Sequence, residues 1–149
     1  MDCEPALFPP RYVFISFVLY SAEIHPEKLT QRLDIQPTSV TLKGSRPGIK
    51  SHVWNLGSGL PNDADEEEHI SLLRSILEPK LERIDSLPEE VERQMRCAIY
   101  QESEVGTGFG FDVEAFQFLA RLKIKLIVEF YTFAPYSVRK LRKTAEPAE

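Results

Sequence analysis

Between Arg11 and Ser21 the chain reads Tyr-Val-Phe-Ile-Ser-Phe-Val-Leu-Tyr, and no other segment restricts the fold so strongly. In an extended strand Val13, Ile15, Phe17 and Leu19 fall on one side, and Tyr12, Phe14, Ser16, Val18 and Tyr20 on the other. Both sides are largely apolar, which predicts a central strand covered on at least one face. Such a strand needs further strands beside it and amphipathic helices over it.

The rest of the sequence supplies both. Pro26 suits a first helical turn, Leu29 and Leu33 follow at helical spacing, and Pro37 stops the helix, predicted over 26–34. Val40–Lys43 and His52–Leu56 read as strands, and Gly44-Ser45-Arg46-Pro47-Gly48 between them makes a hairpin with a long basic loop. After the break at Gly57–Pro61, Asp65 and Glu68 have capping-box spacing, and Ile70, Leu73 and Leu77 form one helical face. Pro79 starts a second helical piece carrying Leu81, Ile84 and Leu87 and ending before Pro88. Gln94–Tyr100 alternates as a strand, Asp112 caps a helix carrying Val113, Phe116, Leu119 and Leu122, and Lys123–Phe133 is the last strand. The order β-α-β-β-α-β-α-β predicts an α+β fold, a ferredoxin-like split βαβ with an appended helix and strand. Its sheet is expected to be mixed or antiparallel with helices mainly on one face; strand order stays open. One domain is expected over 11–133, with flexible termini at 1–10 and 134–149.

Composition narrows the setting. At 149 residues the chain has the length of one domain. Val13–Tyr20 with Arg11 before it mimics a short secretory core, but Asp2 and Glu4 argue against a signal peptide. No apolar run approaches the roughly 18–20 residues of a membrane span. Cys3 and Cys97 make no disulfide framework, so reduced thiols and a soluble, cytoplasmic protein are expected. A formal charge of −5 argues against general nucleic-acid binding. That charge averages unlike parts. Residues 61–105 hold five basic and thirteen acidic side chains, residues 11–60 six basic and three acidic, and Arg139, Lys140, Arg142 and Lys143 lie near the end.

Catalytic motifs are absent. His25, His52 and His69 form no metal-type pair, and His69, with Glu66 and Glu68 near it, reads as part of a solvated helix face. Gly106-x-Gly108-x-Gly110 lacks the rest of a dinucleotide fingerprint, and Asp112 sits where a phosphate would bind. No catalytic residue, metal or cofactor is assigned. Two clusters remain as binding candidates. Lys43, Arg46 and Lys50 surround the hairpin loop near Trp54 and Ser58, where cations and an aromatic could hold an anion. Asp65, Glu66, Glu67, Glu68 and His69 open the acidic helix. Trp54 and Leu56 share one face of their strand and also suit a core position, while Gly57 and Gly59 permit positive φ at its exit.

Leu33-x-Ile35-x-Pro37-Thr38 and Trp54-Asn55-Leu56-x-Ser58-Gly59-Leu60-Pro61 resemble the pattern of a family of small bacterial proteins catalogued as a domain of unknown function. Glu68-His69, Leu77-x-Pro79-Lys80 and Gly108-Phe109-x-Phe111 extend that resemblance over Arg11–Phe133. Some members of the family occur in settings suggestive of toxin–immunity systems, and no reaction or catalytic residue carries over from it.

The segregated charge and the missing catalytic constellation lead to one expectation. The chain reads as a non-enzymatic binding protein, an immunity-like inhibitor whose partner presents a basic surface to residues 61–105. The competing expectation is a small-molecule or anion site, or an enzyme of unrecognised class, in a groove near Trp54 and the Gly44–Gly48 loop. Homo-oligomerisation through an exposed strand edge is a third.

Overall fold

The computed structural model describes residues 11–102 and 108–133. Both terminal segments, Cys3, the basic residues at 139–143, and Gly106 with Thr107 lie outside that range. The strands are β1 (Tyr12–Ser21), β2 (Ser39–Thr41), β3 (His52–Gly57), β4 (Glu92–Glu102) and β5 (Lys125–Phe133). The helices are α1 (Pro26–Leu33), α2 (Glu66–Leu77), α3 (Leu81–Asp85), reached through a 3₁₀ turn over Glu78–Lys80, and α4 (Val113–Leu122).

The strands form one mixed sheet in the order β2-β3-β1-β4-β5. β1 sits at its centre, antiparallel to β3 on one side and to β4 on the other. β2 pairs antiparallel with β3, so β3 lies between β1 and β2, the split βαβ that the element order predicted. β5 is the appended strand. It runs parallel to β4 after a crossover through α4, as parallel neighbours require.

Strand parity decides what each face carries. Val13, Ile15, Phe17 and Leu19 of β1 point toward the helices together with Trp54, Leu56, Met95 and Cys97. Against them pack Leu29 and Leu33 of α1, Ile70, Leu73 and Leu77 of α2, Ile84 of α3, and Phe118, Leu119 and Leu122 of α4. The opposite parity faces away from the helices, and there Tyr12, Phe14, Tyr100 and Tyr131 remain exposed.

Local chemistry sets the helix ends. His25 caps α1, its Nδ1 accepting from Glu27 N at 3.2 Å, and Pro26 takes the first position. Asp65 caps α2 with the full reciprocal box: its Oδ1 accepts from Glu68 N at 2.9 Å, and Glu68 Oε2 accepts from Asp65 N at 3.0 Å. Asp112 caps α4 by accepting from Ala115 N at 2.7 Å. Asp65→Ala removes one partner of the box and is expected to cost about 1 kcal/mol. A melting point lower by about 2–4 °C would register it.

Three expectations about the elements need correction. Lys123 is no part of the last strand. It ends α4 in the left-handed region at φ 53°, and the strand begins at Lys125. Of the two glycines after Trp54, only Gly59 takes positive φ, at 77°, whereas Gly57 continues β3. Leu87 falls beyond α3, which closes at Asp85.

Candidate functional site

The N-termini of α2 and α4 lie side by side and border a surface groove of about 610 Å³. Asp65, Glu67, Glu68, Ser71, Leu72 and Ser75 line it from α2, Leu60 from the segment before α2, and Asp112 from the start of α4. A smaller depression continues it past Glu67 and Asp112 to Glu114 and Phe118. Negative side chains collect at these two helix starts because the helix dipole favours them there. Among the described residues Arg74 is the one cation lining the groove and its extension, and Glu78 holds it by a 2.9 Å ion pair one turn away.

Glu66 turns the other way, into the protein. Its carboxylate accepts from Arg11 Nη1 at 3.0 Å and from Gly110 N at 3.1 Å, while Arg11 Nη2 donates to Gly108 O at 3.0 Å. Burial alone would raise the Glu66 pKa. The Arg11 hydrogen bond, backbone N–H groups and the Arg11 charge outweigh it and hold the carboxyl below its usual value.

One turn along α2, His69 is 2% exposed, a correction to the solvated helix face expected for it. Its Nδ1 is bonded to Ser58 Oγ at 2.5 Å, and Ser58 Oγ also accepts from Leu60 N at 3.3 Å. Burial pushes the imidazole below its usual pKa, against the pull of the Ala64 carbonyl and of Glu68, Asp65 and Glu66. His69 Nε2 and Arg11 Nε have no hydrogen-bond partner among the described residues. The serine and histidine are a nucleophile and a base by type. Both are buried, and their bond fastens the exit of β3 to α2. Cys97 is no better placed, since burial, with the Glu66 charge nearby, drives its thiol up to about 12.

The basic cluster does not assemble with these groups. Lys43, Arg46 and Lys50 are exposed on the loop before β3, at the end opposite Ser58. Lys43 Nζ donates to Ala22 O at 3.4 Å, and no carboxylate pairs with Arg46 or Lys50 among the described residues. Trp54 is 0% exposed, edge-on to Phe17 at 6.1 Å, and its Nε1 donates to Thr30 Oγ1 at 3.0 Å. The indole is therefore a core anchor with no ring face left for a ligand.

Two arrangements went unseen in the sequence. His25 and His52 approach to 5.5 Å between ring centroids, each Nδ1 accepting a backbone N–H. Among the described residues, no group of three or more metal-ligating side chains forms. On the sheet face away from the helices, Arg96 ion-pairs with Glu129 and donates to Tyr20 Oη at 3.0 Å, while Tyr131 Oη donates to Glu129 at 2.5 Å. Tyr100 stacks on Tyr131 at 4.8 Å and meets Phe14 edge-on at 5.6 Å. The Tyr131 hydrogen bond and then the Arg96 bond hold the Glu129 carboxyl below its usual pKa. Alternation marks these side chains as one face of three strands. It does not say that the strands are neighbours.

No helix among the described residues is long and apolar enough to cross a membrane. No curated protein and no solved structure matches the chain. A family model does, over residues 11–133, a span that runs from the arginine clamping Glu66 to the end of β5. The chain belongs to the family described as Domain of unknown function (DUF4279).

Proposed function

We propose that this protein is a non-enzymatic binding protein, an immunity-like inhibitor that takes a basic segment of a protein partner in the acidic groove between α2 and α4. The observation carrying this reading is the convergence of Asp65, Glu67, Glu68, Asp112 and Glu114 from two helix N-termini around one groove and its extension. Leu60 and Leu72 give a cationic segment apolar surface for its aliphatic stems, and Ser71 and Ser75 give hydroxyls. Lys43, Arg46 and Lys50 lie past the far end of β3, roughly 15–20 Å along a six-residue strand. Charge separated in this way steers and orients a basic partner on approach.

The test uses a partner recovered by co-purification from the source organism and then purified. Its affinity is measured against the wild-type chain and against Glu67→Lys/Glu114→Lys, two exposed positions outside the capping hydrogen bonds. Reversal is expected to weaken binding by at least about tenfold, mainly through slower association, with an effect that shrinks as salt rises. Binding insensitive to reversal and to salt would count against the groove. A ligand-induced rise in melting point that needs Lys43 or Arg46 would favour an anion site at the loop instead.

A further inference from the structure

We infer that the outer edge of β5 is a self-pairing surface, and that two copies of the chain join there as antiparallel strands into one continuous sheet. β5 has nine residues, ends the sheet order, and pairs on its inner side with β4; no described residue pairs with its outer side. The other edge strand, β2, is three residues long, a length that blunts an edge. β5 has no such protection. Its sequence, Lys-Leu-Ile-Val-Glu-Phe-Tyr-Thr-Phe, has high strand propensity, no proline and few charges.

The apolar surface beside this edge is continuous with it. Phe130 is 53% exposed and meets Phe109 at 6.5 Å; Phe109 meets Phe111 at 4.8 Å, and Phe111 meets Phe116 at 6.0 Å. Phe116 and Val113, at the start of α4, are exposed as well. A contiguous apolar strip along an unpaired edge is the signature of an interface.

What selects a second copy is the symmetry of the strand's own pattern. A two-fold axis perpendicular to the sheet keeps each face on its own side, so it must lie midway between the two copies of one residue. With the axis at Val128, Leu126 lies opposite Phe130 of the second copy, and Lys125 lies opposite its Tyr131. The helix-side row is then Leu-Val-Phe against Phe-Val-Leu, and Phe130 is covered. On the other face Ile127 lies opposite Glu129, and Glu129 lies one diagonal step from both Lys125 and Glu129 of the second copy, so the two symmetry-related Lys125 charges offset the diagonal approach of the two carboxylates. Moving the axis to Glu129 would set two carboxylates face to face. Moving it to Ile127 would leave Phe130 and Tyr131 beyond the paired strand.

Sedimentation of the full chain from low to high micromolar concentration tests the pairing. The expected species has twice the monomer mass of 17.1 kDa. Ile127→Glu opposes two like-charged pairs and is expected to weaken the dimer by about a hundredfold or more. Ile127→Lys, facing Glu129, is expected to retain it. Val128→Cys, on the axis, should yield a disulfide-linked dimer on mild oxidation. Circular dichroism melts of each variant confirm that the monomer fold survives. A wild-type chain that stays monomeric overturns the inference, as does a dimer indifferent to Ile127→Glu. Equal loss in both Ile127 variants, or a dimer in which Val128→Cys does not cross-link, overturns this register.

Discussion

Trp54→Ala is expected to destabilise the fold by about 3–5 kcal/mol, in the range of large aromatic truncations in a core. The indole is fully buried, packs edge-on against Phe17, and spends its one polar atom on Thr30 of α1. Its removal opens a void between the centre of the sheet and the first helix, where neighbours held by β1 cannot close in. Against a typical stability of about 5–15 kcal/mol, a loss of this size leaves a marginal protein. Urea denaturation would show it as a lower midpoint at similar slope. Trp54→Phe keeps most of the ring and loses the bond to Thr30, so its cost should be clearly smaller. With the fold intact, that variant should bind a partner as the wild type does, because no part of Trp54 reaches the surface. A cost for Trp54→Ala near or below about 1 kcal/mol would mean that the site collapses around the gap.

Trp54 also shows how far the sequence reaches. Its parity with Leu56 places both on one face of a strand, and β3 bears this out. The same local rules find β1, the α2 capping box and the Asp112 cap, because alternation and capping involve residues close in sequence. Lys123 shows their limit: a left-handed residue closing a helix reads, in an alternating run, like the first residue of the strand. The acidic segment is legible as charge, but not as a groove. Glu67 and Glu114 share a depression only because α4 returns beside α2, and no pattern in either helix encodes that distance.

Glu66 and His69 are a different kind of miss, because the signal was present. Ile70, Leu73 and Leu77 define a helical face, and four-residue steps back along it from Ile70 and Leu73 meet Glu66 and His69. Their polarity hid this, since a charged first turn is ordinarily solvated. Arg11 supplies the charge that lets Glu66 face inward, and Ser58 supplies the hydrogen bond that His69 needs, from positions far away in sequence. A buried polar group announces itself only together with its partner.

That burial has a thermodynamic consequence. Folding stability is expected to fall as pH drops through and below 6.5, the ordinary histidine value, and His69 is the cause. In the unfolded chain the ring takes up a proton near that pH. In the folded chain burial holds its pKa lower, and the nearby Asp65, Glu66 and Glu68 carboxylates restore only part of the difference. The unfolded state therefore binds the extra proton first, and stability falls with pH by up to about 1.4 kcal/mol per unit until the folded ring titrates too. Glu66 adds loss in the same direction, but only at more acid pH, as its own lowered folded pKa is approached from above. His25 and His52 are controlled for by comparing melts with one variant. His69→Asn offers Ser58 an amide in place of Nδ1 and carries no titrating group, so between roughly pH 6.5 and 5 its midpoint should vary less than that of the wild type. Identical pH slopes in the two proteins would assign the acid sensitivity to other groups, and would mean that a proton reaches His69 as readily in the fold as in the open chain.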